Sequence, residues 1–389
     1  MNSGRTLFAQ VLDFLPAHEF RRCVQRYDGN RRIRSFSCWD QFLCLAFAQL
    51  TYRESLRDII TCLHSVKDKL YHSGFRGQLA RSTLADANEV RDWRIYADFA
   101  AVLIGRARQL YAHEDFGVAL DQTVYAFDST TIDLCLSLFP WAQFRRCKSA
   151  VKLHTLIDLR GNIPCFIRIS SGRVADVTSL DDLPIEPGAF YVMDRGYIDF
   201  ARLYRFVQNS AFFIIRAKRD LDYTALDHHP VQRDAGLRSD QMIRLCGPKT
   251  AGLYPIPLRR IHYHAQDIDK HLVFLTNHVL LPALTVAQLY KSRWQVELFF
   301  KWIKQYLRIK AFYGTSENAV KTQVWTGVCV YVLTAIVKKE LGIEHLSLGE
   351  MPQILSIGLF EKTELLQAFS QISPTIDTSG IHKQLSLFD

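Results

Sequence analysis

A chain of 389 residues is long enough for roughly two or three domains, and its 48% hydrophobic and 22% charged content excludes a disordered or fibrous protein. Its 48 lysines and arginines outweigh 39 acids, a net charge of +9 that favours a polyanionic partner without naming one. The uncharged stretch Leu272–Tyr290 is interrupted by Asn277, His278 and Pro282, and Thr322–Val337 is shorter than a bilayer span, so no membrane insertion is expected. The N-terminus has no basic start followed by an apolar run, and nine cysteines without a C-x-x-C pair read as free thiols in a reducing, cytoplasmic setting.

From Arg5 to about Ala112 apolar residues recur at helical spacing, most clearly in Trp39–Gln49 and Ile95–Leu110. The basic clusters Arg21-Arg22 and Arg31-Arg32-x-Arg34 make residues 1–115 a candidate DNA-binding helical domain, with Ser82 expected to cap a helix. The period then changes to two. Val124–Phe127 runs into Asp128, Val151–Asp158 turns at Arg160-Gly161-Asn162 into Ile163–Ser170, and Phe190–Met193 ends at Asp194. A helix at Ile198–Val207 and a strand at Phe212–Ile215 complete an α/β pattern over residues 116–216. Residues 217–275 read as a β-rich insertion, 276–341 as a second core segment with helices over Val286–Lys310 and Val320–Leu341, and 342–389 as a helical end with a polar tail.

On one helix from Val286 to Lys310, Tyr290, Arg293, Glu297, Lys301, Lys304 and Arg308 would share a face, opposite Leu298, Phe299, Trp302, Ile303 and Tyr306. One carboxylate among cations suits a place where a metal-binding acid meets phosphates. Asp128 and Asp194, each expected at the C-terminal end of an apolar strand, supply two more acids where α/β sheets commonly hold ligands. Three carboxylates from two strand ends and a helix would suit two divalent ions and phosphodiester chemistry, that is, DNA cutting and joining.

Asp128 in Phe-Asp-Ser-Thr-Thr, Asp194 in Met-Asp-Arg-Gly-Tyr and the spacing Tyr290-x2-Arg293-x3-Glu297-x6-Lys304 together resemble the DDE transposases of the insertion-sequence-4 family. The likeness runs from about Leu120 to Tyr331 and includes Lys152-x-His154, Arg216-x-Lys218 and Leu275-Thr276-Asn277. It implies an α/β fold with an RNase H-like catalytic core interrupted by a β-rich insertion and preceded by a helical domain. It further implies that Asp128, Asp194 and Glu297 are catalytic and bind Mg2+, with Mn2+ as a substitute. Tyr290, Arg293 and Lys304 would grip DNA phosphates, with Lys301, Arg216 and Lys218 as further contacts. The implied activity is cleavage and strand transfer on double-stranded DNA, both element ends and target, by a homodimer in a synaptic complex. Some relatives stack a flipped base on a tryptophan of the insertion, whereas this chain has no tryptophan between Trp141 and Trp294; Tyr223, Tyr254 and Tyr263 are the aromatic substitutes.

The end of the chain, Gln384-Leu385-Ser386-Leu387-Phe388, resembles the bacterial sliding-clamp-binding peptide, with Gln384, Leu385, Leu387 and Phe388 as its contacts. His262-x-His264 and His228-His229 lack the partners of a metal knuckle, and no phosphate-binding or dinucleotide glycine loop occurs. The reading is therefore an insertion-sequence transposase. A stand-alone nuclease on the same fold and a catalytically silent, transposase-derived DNA-binding protein are the alternatives.

Overall fold

The computed structural model describes residues 4–135, 137–145, 148–306 and 312–370. The chain opens with helices α1 (Leu7–Leu12), α2 (Ala17–Arg26), α3 (Cys38–Leu50), α4 (Leu56–Ser65), α5 (Lys67–Leu70), α6 (Arg81–Val90) and α7 (Arg94–Leu110). Strands β1 (Val124–Leu134), β2 (Gln143–Arg145), β3 (Lys148–Asp158), β4 (Ile163–Ser171) and β5 (Phe190–Met193) lead to α8 (Phe200–Gln208) and β6 (Phe212–Arg216). Then come β7 (Tyr223–His229), β8 (Leu237–Leu245), β9 (Leu258–Ala265) and β10 (Lys270–Thr276). Helices α9 (Ala283–Lys291), α10 (Trp294–Tyr306), α11 (Glu317–Glu340), α12 (Glu350–Gly358) and α13 (Leu365–Ser370) close the described chain.

Two compact units share these elements, and the division falls inside β1, β3 and α10. The helical unit gathers Met1–His113, Ile132–Val151 and Phe300–Ile376; the other contains Glu114–Thr131 and Lys152–Phe299. Helix α11 packs on α7, α3 and α6. Ser316 caps α11 through Ala319 N–H at 3.1 Å, Glu317 and Lys338-Lys339 complement its dipole, and Gly342 turns away at φ 65°. Its 24 residues are long and apolar enough to cross a membrane, more than the uncharged run suggested, yet 89% of its most apolar stretch is buried as the core of this unit.

Helix α3 is buried along nearly its whole length, so its start must be held without water. Ser37 and Asp40 form a capping box, and the Asp40 carboxylate also accepts from the amides of Arg76 at 2.8 Å and Gly77 at 3.0 Å. Gly77 is required there, because a Cβ would lie 2.3 Å from the Ser35 carbonyl. Asp40→Ala orphans these donors and is expected to cost roughly 2–4 kcal/mol, measured by urea denaturation. Ser82 does not cap α6; Ala80 stands at that position, with no side-chain bond to the helix, and Ser82 is its second helical residue.

The sheet runs β2-β3-β1-β5-β6-β10-β9-β8-β7, with β4 pairing β3. The third long strand thus lies beside the second, the second beside the first, and β5 and β6 follow in parallel on its other side, the arrangement of an RNase H-like core. Val124–Phe127 and Phe190–Met193 are buried on both faces, as central parallel strands require. Leu203 and Phe206 of α8 cover one face together with Tyr125, Tyr191 and Phe213. Residues 217–275 are β-rich, as expected. Their strands extend the same sheet, because β10 returns antiparallel to β6 with Leu275 opposite Ile215.

Candidate active site

The register of two parallel strands brings the first two acids together. Phe127 is paired with Met193, so Asp128 and Asp194 follow at the same level on neighbouring strands. Asp128 was expected to end its strand; β1 instead continues to Leu134, and the Ser129 amide donates to Asp128 Oδ1 at 2.8 Å. Asp194 does leave its strand, capping the turn Arg195–Tyr197.

The third acid arrives on a broken helix. The expected single helix is divided between α9 and α10 around Ser292-Arg293, where Ser292 Oγ donates back to the Gln288 carbonyl at 3.2 Å and Val296 N–H donates to the Arg293 carbonyl at 3.1 Å. The break changes which side chains face outward. Lys301 and Lys304 are exposed on α10, as expected, but Tyr290 is buried and the Arg293 side chain is only 13% exposed. Leu298, assigned to the buried face, is exposed, whereas Phe299, Trp302 and Ile303 are buried. Arg308 and the peptide Gln384–Phe388 lie outside the described residues, as does the Tyr306 side chain.

Arg293 is the centre of the cluster. One guanidinium nitrogen donates to Asp128 Oδ2 at 2.7 Å and another to Glu297 Oε1 at 2.7 Å, while its buried Nε has no partner. Tyr290 donates its hydroxyl to Asp194 Oδ1 at 3.3 Å and packs its ring 4.7 Å from Phe274. Burial pushes the Asp128 carboxyl up to about 6, opposed by Arg293 and the Ser129 amide and assisted by the charges of Asp194 and Glu297. Burial alone would lower Arg293, but Asp128, Tyr290, Glu297 and Asp194 hold its pKa above the ordinary range. Arg216 ends β6 within electrostatic reach of Tyr290, and Lys218 is exposed just beyond it.

A fourth carboxylate stands beside this cluster. Ser129 Oγ donates to Asp176 Oδ1 at 2.7 Å, and the Lys152 ammonium lies 3.0 Å from the same oxygen while donating to the Val174 carbonyl at 2.9 Å. His154 is fully buried, bonded to Ser170 Oγ at 2.8 Å, and burial drops its pKa to about 4, so it is neutral. Asp176 escaped the sequence reading because it lies on a short turn outside any motif; the alternating Lys152-x-His154 was its indirect signal.

Among the aromatic substitutes, Tyr254 is unsuited to stacking a base, since it is buried against Phe213 and Tyr204. Tyr223 and Tyr263 are half-buried, Tyr223 beneath Arg260. The histidines of β9 and β10 are engaged with one another: His264 stacks on His271 at 4.4 Å and binds Asp269 at 2.8 Å and Arg238 at 3.0 Å.

The donor set at Asp128, Asp194 and Glu297 is all carboxylate oxygen, the chemistry that suits a hard divalent cation. The raised Asp128 reflects chiefly its burial, with the neighbouring charges of Asp194 and Glu297 adding to it. Arg293 occupies one oxygen of Asp128 and one of Glu297, and among the described residues no three histidine, cysteine or acidic side chains converge on one point.

Residues 119–333 match the family described as "Transposase DDE domain", and residues 3–76 match a domain of unknown function, DUF4372. The chain is 32% identical over 257 residues to "Putative transposase y4zB" of Sinorhizobium fredii, covering 65% of this chain and 70% of that one. It is 30% identical over 207 residues to "Probable transposase for insertion sequence element IS5377" of Geobacillus stearothermophilus, covering 53% and 54%. A piggyBac transposase synaptic complex with hairpin DNA aligns over 98% of this chain and 83% of that chain, at 10% identity and a TM-score of 0.44, too low to add to the family match. The matched segment spans more than half of the chain and includes Asp128, Asp194 and Glu297, and the chain belongs to the transposase DDE domain family.

Proposed function

We propose that this protein is an insertion-sequence transposase of the insertion-sequence-4 type that binds its element's terminal inverted repeats and cleaves and joins DNA. Asp128, Asp194 and Glu297 are its catalytic, metal-binding acids. The observation that carries this reading is the convergence of Asp128 and Glu297 on one guanidinium, with Asp194 at the same strand level and tied to α9 through Tyr290. The family implies dependence on a divalent metal; Mg2+, or Mn2+ in its place, would activate the attacking oxygen and stabilise the leaving one when bound.

The chain's own residues set the geometry. The Ser129 amide and Arg293 hold Asp128 from both sides, and Tyr290 orients Asp194. A DNA phosphate would draw Arg293 away from the acids, since a guanidinium binds phosphate bidentately as it binds carboxylate. Tyr290, Lys301, Lys304, Arg216 and Lys218 are the further DNA contacts in this reading. Cleavage is attack of water on the end phosphodiester with departure of the 3′ oxygen; joining is attack of that 3′ hydroxyl on a target phosphodiester. A homodimer holding two ends, and docking of Gln384–Phe388 on the replication sliding clamp, complete the proposal.

A marker flanked by the element's own ends tests it in cells. Wild-type protein is expected to mobilise the marker and Asp194→Asn to reduce mobilisation by at least a hundredfold; movement unaffected by Asp194→Asn would exclude this acid set.

A further inference from the structure

Residues 27–37, between α2 and α3, form a loop whose backbone is fixed from several sides. Asp28 and Arg32 adopt left-handed conformations at φ 49° and 58°, and Gly29 is packed so closely that a Cβ would sit 2.5 Å from Ile95. Asn30 Oδ1 accepts from the Cys38 amide at 2.8 Å. From α6's end, Arg91 donates to the carbonyls of Phe36 and Ser37 and lies over the Phe36 ring.

This rigid loop carries exposed Arg31, Arg32 and Arg34, and Arg21 is exposed on the neighbouring α2. Other arginines nearby are spent locally: Arg22 pairs with Glu19, Arg26 with Asp98 and Arg94 with Asp92. Arg21, Arg31, Arg32 and Arg34 have no acidic partner among the described residues. Arg31 borders two clefts, of about 720 and 620 Å3, one lined by Phe20, Val24 and Trp39 and the other by Ile33, Phe36 and Val90. The acids facing these clefts are Asp28, Asp86 and the already paired Asp92.

Fixing the backbone means that little loop entropy is lost on binding, and several exposed guanidiniums on one short loop suit successive phosphates better than a single enclosed anion. We infer that the loop 27–37, within the domain of unknown function, is a docking ridge for the phosphate backbone of duplex DNA, with Arg31, Arg32 and Arg34 as its contacts. The inference rests on the transposase reading and gives its end-binding step a location.

The test is fluorescence anisotropy with a labelled duplex carrying the element's terminal sequence, over a range of salt. The triple variant Arg31→Gln, Arg32→Gln, Arg34→Gln is compared with wild type and with a charge-matched control, Arg57→Gln, Lys67→Gln, Lys69→Gln, each checked for folding by thermal melting. Losing three phosphate contacts should weaken binding roughly tenfold or more at moderate salt and reduce the slope of log affinity against log salt by about 2.7, with little effect of the control. Unchanged affinity and slope in the triple variant, or an equal loss in the control, would overturn the proposal while leaving the transposase reading intact. Failure of wild type to bind any duplex, or a preference for RNA of the same sequence, would overturn both.

Discussion

Arg293→Ala is expected to lower the stability of the metal-free protein by roughly 3 kcal/mol at pH 7 and by much less at pH 5. The change leaves buried Asp128 beside Glu297 and Asp194 without the cation that now bridges the first two. The pH dependence follows from Asp128, whose pKa rises from the ordinary 3.8 to about 6 on folding. A raised carboxyl contributes stability that is full below the unfolded value and is lost as pH rises through the folded one. In wild type that loss, roughly 3 kcal/mol, falls between about pH 4 and pH 6. Without Arg293 the Asp128 pKa climbs further, so the loss extends above pH 6 and the gap between variant and wild type widens with pH. Urea denaturation at pH 5 and pH 7 measures it, and an equal gap at both would show that Arg293 does not compensate Asp128. Arg293→Lys, which keeps the charge but not the two-pronged geometry, should fall between the two.

The second large effect is expected at the pair Asp240–Arg259. Both side chains are about 5% exposed or less, and the guanidinium makes two bonds to the carboxylate, at 2.8 and 2.6 Å. The same guanidinium also donates to the carbonyls of Leu281 at 2.5 Å and Val279 at 3.1 Å, tying down the segment that leads into α9 and thus into Tyr290 and Arg293. Asp240→Ala strands a buried cation and should cost roughly 3–5 kcal/mol. Arg259→Ala should cost a similar amount, and the double variant much less than the sum, because each single change already breaks the pair. Additive losses in denaturant melts would show that the two side chains act independently.

Much of this was legible in the sequence because it depended on local pattern. Val124–Phe127 and Phe190–Met193 announced buried strands by uninterrupted apolar residues, and Asp128 and Asp194 followed from where those runs stop. Arg160-Gly161-Asn162 marked a hairpin whose two central residues adopt positive φ, 74° and 56°. What escaped depended on tertiary partners. The apolar period around Ser292 favours a continuous helix, and the bond of Arg293 to Asp128 beside the break is a tertiary contact that periodicity does not carry. The amphipathic pattern placed Arg293 on a solvent stripe because periodicity carries no information about acids contributed from residues 128 and 194. Asp176 belongs to the same class, linked to the residue after Asp128 through the Ser129 hydroxyl. Helix α11 shows the converse: its sequence is largely apolar, with no polar face to orient it, so its packing on α7 could not be read.

The most direct test of the three-acid account is strand cleavage and joining on a duplex carrying the element's own ends, with Mg2+, comparing wild type with Glu297→Gln. The account predicts metal-dependent nicking and joining by wild type and the loss of both in the variant, while end binding persists. Equal cleavage by the two proteins would contradict it, since Glu297 would then not be one of the catalytic acids.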